Sequence, residues 1–262
     1  MIVIERNFCG FKFKNIFFSE HPFYANDCDF ISFHYCKQKV ELDGFTCREG
    51  YTSIIDLTKD LDELWNEMSR SNCRRHIRRA ERMGIKIESE KYYEEFYDIL
   101  KRFISKKCPS GPLFKIEYPT IDEIKRYGKL FTAKYNDEIL VSHFYLEDKP
   151  NIMFCLLNAS KRLEVDKKKA NLIGCANRLL YWEVIKYAKE KNIRKFDVGG
   201  LWSEEGAKEP SQIGMNSFKL GFGGDVVAVY FYIKANSKKA KLVQVLYHLW
   251  GNMRSSIIEL FH

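Results

Sequence analysis

Asp197 and Lys219 are the two side chains with which this sequence could most directly do chemistry, because each stands beside glycines. Asp197 lies in Phe196-Asp197-Val198-Gly199-Gly200, and Lys219 in Phe218-Lys219-Leu220-Gly221-Phe222-Gly223-Gly224. Glycine reaches backbone conformations closed to other residues and lets a ligand or another chain come close to the main chain. The two stretches flank a polar loop from Ser203 to Gly214, so together they read as the floor and rim of a site. A carboxylate there could take a proton. A lysine there could pair with a phosphate or a developing oxyanion, although Lys219 also fits a surface lysine at the start of a strand.

A second group is basic. Cys73 to Met83 reads as a helix that stops at Gly84, a natural cap. Arg75, Arg78, Arg79 and Arg82 recur on it at helical spacing, with Glu81 as the one acid. Such a run is usually a solvated face. Its self-repulsion would be relieved by an anionic ligand: a nucleotide diphosphate, a lipid pyrophosphate or a tRNA backbone.

Elements must position these groups. Residues 1–57 alternate apolar and polar positions in short runs (Ile2-Val3-Ile4, Phe11-Lys12-Phe13, Phe30 to Phe33, Ser53 to Ile55), which predicts strands joined by Gly, Asn and Asp turns. Asp60 to Met68 reads as a short helix, Ile85 to Ile87 as a strand and Tyr92 to Lys107 as an amphipathic helix. A loop with Pro109, Gly111 and Pro112 and a helix at Ile121 to Gly128 follow. Lys129–Tyr135, a turn at Asn136-Asp137 and Ile139–Leu146 read as a hairpin, with a third strand at Ile152–Leu157. A long helix is expected over Asn171 to Lys191, a strand over Lys195 to Val198, a last strand over Val226 to Ile233 and an amphipathic helix over Leu242 to Phe261.

The 262 residues can bury a core, and 45% apolar with 15% aromatic residues exclude a disordered chain. With 43 Lys and Arg against 35 Asp and Glu, the formal net charge is +8, which suits an anionic partner or simply a lysine-rich proteome. The eight cysteines form no CxxC pair, so free thiols in a cytosolic protein are expected. Cys28, His34, Cys36 and Cys47 match no zinc spacing, and no metal is expected. No apolar run approaches the ~20 residues of a membrane span. The C-terminal helix, after a lysine-rich entry, could lie on a membrane surface or pack on the domain or on a second subunit.

In four segments the sequence resembles a known family. They are Arg74-x-x-Ile77-Arg78-x-Ala80-Glu81-x-x-Gly84, the hairpin Leu130–Tyr135 with Ile139–His143, Trp182-Glu183 with Ala188-Lys189, and the two glycine stretches. Their order is similar to that of the GNAT acyltransferase fold, in its FemABX and CelD-like (BioF2-like) branch. The resemblance implies an α/β fold with a reduced, β-rich N-terminal lobe over 1–88 and an acyltransferase domain over 89–262.

It also implies an N-acyltransferase that passes an acyl or aminoacyl group directly to an amine, on a cell-envelope or nucleotide-sugar acceptor. The co-substrate would be acyl-CoA or aminoacyl-tRNA. Asn171, Gly174 and Ala176 occupy the places of the family's acyl-CoA signature at a helix start, where free N–H groups favour phosphate. Lys167, Lys168 and Lys169 lie just before. Backbone N–H groups near Cys155 to Asn158 would polarise the acyl carbonyl. The candidate bases are Asp197, His143 and Glu183, of which His143 equally fits a satisfied core histidine and Glu183 a solvated carboxylate. Arg74, Arg78, Gly199, Gly200, Phe218 and Lys219 are the expected substrate-binding residues. A competing reading keeps the fold without catalysis, as a nucleic-acid-binding protein that uses the arginine helix.

Overall fold

Alternation and turn chemistry make the first strands. Strands β1 (Ile2–Phe8) and β2 (Phe11–Phe17) form a hairpin about Cys9 and Gly10, both at positive φ. The computed structural model describes residues 1–107, 120–203 and 205–251, and for Lys107 and residues 246–251 the backbone alone. Strand β3 (Phe30–Cys36) runs parallel to β2, and β10 (Asp225–Ala235) runs antiparallel to β3. These strands belong to one compact unit, whose described residues fall within 1–52, 200–208 and 226–251. Its core gathers Ile16, Ile31, Phe33, Cys36 and Tyr232, all nearly inaccessible. The Tyr232 hydroxyl accepts from the Val40 amide at 2.8 Å. Helix α7 (Lys238–Gly251) closes the described part of this unit.

The second unit comprises residues 53–199 and 209–225. Strand β4 (Thr46–Asp56) leads into it, and helix α1 (Leu61–Glu67) follows, opened by a capping box between Asp60 and Glu63. A π-helical turn at Arg70–Arg74 runs straight into α2 (Arg75–Arg82). Gly84, at φ +74°, ends that helix as its sequence predicts. Strand β5 (Lys86–Ser89), helix α3 (Tyr93–Lys107) and helix α4 (Ile121–Tyr127) come next. The loop expected around Pro109 to Pro112 lies outside the described residues.

Strands β6 (Gly128–Tyr135) and β7 (Glu138–Asp148) pair about Asn136 and Asp137, at φ +49° and +60°, the left-handed turn predicted there. Strand β8 (Ile152–Ser160) follows, then helix α5 (Lys167–Glu190) and strand β9 (Lys195–Leu201). The strand order in this unit is β9-β8-β7-β6-β5. The expected division at residue 88 falls inside this unit, where β5 pairs with β6 from Lys86↔Lys134 to Ser89↔Phe131.

Two expectations are corrected. Helix α5 begins at Lys167 rather than Asn171, because the Asp166 side chain caps it by accepting from the Lys169 amide at 2.8 Å. Residues 210–220 form a helix, α6 (Pro210–Leu220), where a loop and a strand start were expected. Pro210 at the first helical position and a capping box between Glu209 and Gln212 nucleate it.

Candidate functional site

The site begins at a gap between β8 and β9. These parallel strands are in register at only three positions, the last being Phe154↔Asp197. Beyond it β8 continues to Ser160 and β9 to Leu201, and a β-bulge against β7 at Phe144/Tyr145 bends β8 at the same level. The backbone from Cys155 to Asn158, whose N–H groups the resemblance assigns to the acyl carbonyl, begins where this pairing ends.

Gly199 lies in the gap at φ +106°, a conformation that disfavours any residue with a side chain. The point where a Cβ would stand is 3.4 Å from the Lys219 ammonium and 3.5 Å from the Cys155 carbonyl oxygen. Lys219 gets there from the last turn of α6, so it projects from a helix end rather than a strand start. Asp197 is 1% exposed, the one buried carboxylate among the described residues, and its Oδ1 accepts from the Gly199 amide at 2.8 Å. Asp197, Gly199 and Lys219, distant in sequence, are thus brought together. Gly200 follows on β9, half-buried, where the chain passes into the first unit.

Beside the gap lies a ring of polar groups, of which the sequence reading singled out His143 but not Tyr145, Asn177 or Tyr181. His143 sits on β7, wholly buried, with Nε2 2.6 Å from Asn177 Oδ1 and Nδ1 2.8 Å from the Tyr145 hydroxyl. Asn158 donates to the same Asn177 oxygen at 3.3 Å. The Tyr181 hydroxyl donates to Cys155 Sγ and to the Val198 carbonyl, each at 3.3 Å. Burial pushes His143 down to about 3, so its ring is neutral and a weak proton acceptor. Burial raises Cys155 to about 11, against the pull of the Tyr181 hydrogen bond and the Lys219 charge, so its thiol is inert. Of the three candidate bases, Asp197 borders the gap. Glu183 lies on the far side of α5, in an ion pair with Lys186 at 2.7 Å, beside Glu88 and Tyr187.

The glycines of the second stretch do something other than line the site. A Cβ on Gly221 would stand 2.8 Å from Asn72 Nδ2 and 3.0 Å from Cys73 Sγ, and one on Gly224 would stand 2.6 Å from Ser53 Oγ. The chain itself fills the space these glycines leave. Gly221 lets the turn after α6 pack on the π-helical turn and Gly224 lets it pass close to β4, which brings Phe218 and Lys219 to their places. Phe218 packs edge-on to Tyr181, 5.7 Å between centroids, and to Phe222.

A third cluster centres on Arg178, a residue the sequence reading passed over. Its guanidinium stacks over Phe218 at 4.8 Å and donates to the Asn72 carbonyl at 2.5 Å, the Asn72 side chain at 2.7 Å and the Gly174 carbonyl at 2.9 Å. The charges of Arg75 and Arg79 from α2 act with that of Arg178 on His76 and on Cys175. Arg162 lies near Gly174 and opposes the charge of Arg178. Cations therefore converge where α2 packs on the first half of α5. His76 Nδ1 is buried there without a hydrogen-bond partner, as is Arg74 Nε on the side of Asn66. Such atoms carry a desolvation cost that a bound anion would offset. The signal was an arginine set among buried positions: Ile173 to Ala176 and Leu179 to Trp182 are all buried.

The remaining predicted residues scatter. Gly174 and Ala176 are buried within α5, beyond its first turn, and Asn171 is exposed. Arg74 donates to Asn66 at 3.2 Å. Arg78 lies over the Trp65 ring at 5.4 Å and beside Asp62, Glu81 and Trp182. Among the described residues no group of His, Cys, Asp and Glu could hold a metal ion.

No protein-family model matches the chain, and no curated protein does. Solved structures do. The crystal structure of FemX is 15% identical and matches with a TM-score of 0.59 over 94% of this chain and 85% of that one. L-PGS from Bacillus licheniformis is 17% identical and matches with a TM-score of 0.51 over 82% of this chain and 71% of that one. Likeness at this identity speaks for the fold, and it agrees with the motif order read from the sequence: the chain has a FemABX-like GNAT fold.

Proposed function

We propose that the chain is an N-acyltransferase that passes an acyl or aminoacyl group to an amine by direct attack. The observation that carries this reading is the Lys219 ammonium, held over Gly199 where β8 and β9 part. A carbonyl lodged in that gap would meet a fixed positive charge and strand N–H groups. Those are the groups that stabilise the oxyanion formed when an amine adds to a carbonyl carbon. The C–N bond forms, the C–S bond of a thioester or the C–O bond of an ester breaks, and the proton shed by the amine ends on the leaving thiol or hydroxyl. We assign the first acceptance of that proton to Asp197, a reading supported by its being the buried carboxylate that borders the gap.

The donor's phosphates fall to the arginines. Asn171 lies past the first turn of α5, whose exposed end is capped by an acid, so the helix start is a poor anion cradle. Arg75, Arg79, Arg162 and Arg178 suit the diphosphate of acyl-CoA or the backbone of aminoacyl-tRNA. The acceptor we propose is an amine on a cell-envelope precursor or a nucleotide sugar.

A thermal-shift screen of acyl-CoAs and charged tRNAs identifies the donor, since a ligand at a hundred times its Kd stabilises by about 2.7 kcal/mol. With that donor and a panel of amines, Lys219→Ala should lower kcat by roughly 10²–10³-fold. Donor binding should be retained, and Lys219→Arg should restore part of the rate. Tight RNA binding with no stabilisation by any donor and no turnover would replace this reading with that of a nucleic-acid-binding protein.

A further inference from the structure

Helix α7 turns an apolar face to solvent. Ala240 is wholly buried and marks its inner side. At 3.6 residues per turn, Leu242, Val245 and Lys238 lie roughly 140–160° round from Ala240, on the outer side. The outer side is wet: Leu242 is 61% exposed and Val245 54%, with Val243 at 42%. A helix packed on its own domain shows the opposite pattern, polar residues outward.

Its charge is one-sided. From Lys238 to Gly251 the sequence holds three lysines and no acid. Lys239 is engaged within its own unit, donating to the Gly10 carbonyl at 2.6 Å and pairing with Asp29 at 3.1 Å, which ties the helix to the β1–β2 hairpin and to the segment before β3. Lys238 and Lys241 are exposed beside the apolar residues. Among the described residues no helix is long and apolar enough to cross a membrane. An apolar outer face rimmed by lysines is what an interfacial helix presents to anionic headgroups, with the lysine stems lying along the apolar boundary. A second copy would set the same lysines against one another, so charge favours the lipid occupant.

We infer that α7 seats the protein on an anionic lipid surface through Leu242, Val243 and Val245, with Lys238 and Lys241 at the headgroups. The inference stands apart from the proposed activity, since it uses none of the residues of the β8–β9 gap.

Sedimentation of the full chain with vesicles tests it. One set is phosphatidylcholine alone; the other also carries phosphatidylglycerol. The protein should pellet with the second and stay in solution with the first. Lys238→Glu with Lys241→Glu should weaken binding by more than tenfold, since each lysine near a surface contributes about fivefold and a reversed charge more. Leu242→Glu with Val245→Glu should abolish it. All four positions are exposed, so the thermal midpoint should stay at the wild-type value and exclude misfolding. Failure to pellet with either vesicle, or binding indifferent to these substitutions, overturns the inference. A dimer in light scattering that Leu242→Glu dissolves, with no vesicle binding, overturns it in favour of a second copy.

Discussion

His143 reaches full burial with both ring nitrogens satisfied, which fixes its tautomer as well as its charge. With Nε2–H given to Asn177, Nδ1 is left to accept from the Tyr145 hydroxyl. Protonation would remove that acceptor, and burial already holds the ring at about 3. His34, packed on the Phe17 ring at 4.7 Å, is likewise pushed down to about 4 by burial. In both cases the unfolded chain binds a proton that the native chain refuses. Stability is therefore full above the unfolded histidine value and falls as pH drops below it, by about 1.4 kcal/mol per pH unit for each ring, until the folded value is passed. Asp29, lowered to about 2 by hydrogen bonds from Ser237 and the Lys12 amide, adds to acid loss only at lower pH. Urea midpoints should thus fall from about pH 6.5 to about pH 4, the histidine window. A flat profile there would mean that the rings are reached by solvent.

The glycine stretch around Gly221 shows how an element places a side chain it does not itself contain. Its missing Cβ admits Asn72, whose carbonyl and side chain both hold Arg178, and Arg178 in turn stacks on Phe218. Gly221→Ala should destabilise by about 1–3 kcal/mol through this overpacking, seen as a lower thermal midpoint. It should also weaken donor binding by releasing Arg178, although it touches no ligand. Unchanged stability and binding would show that the π-helical turn yields freely.

Much of this architecture was legible because its signals are local: Asn136-Asp137 sets the β6–β7 register, Asp60 starts α1 and Gly84 stops α2. Helix α6 was misread because Gly214, Asn216 and Ser217 carry turn chemistry, while its true signals, Glu209, Pro210 and Gln212, lie at one end. The polar ring was illegible for another reason. Tyr145, Asn158, Asn177 and Tyr181 come from three elements, and no spacing in the chain records their meeting.

At the scale of the molecule, the charge of +8 is uneven in its consequences. Cations that converge at α2 and α5 should make binding of a polyanion fall with salt. If the donor is an RNA, a plot of log K against log salt should have a steep negative slope. Arg75→Ala and Arg79→Ala should each make that slope shallower by about one. Equal slopes in wild type and variants would place the contacts elsewhere. The division into units also bears on how the chain is made. Strand β3 pairs with β10, from Phe30↔Ala235 to Tyr230↔Cys36, and Ile31 and Phe33 share a core with Tyr232. During synthesis the early strands wait while everything between them is translated, which at about 5–20 residues per second is roughly 10–40 s. The second unit, nearly all contained in that interval, is out of the ribosome first. Strands made before the second unit are therefore completed only after it, and the β3 edge that β10 will cover waits without its partner for that whole time.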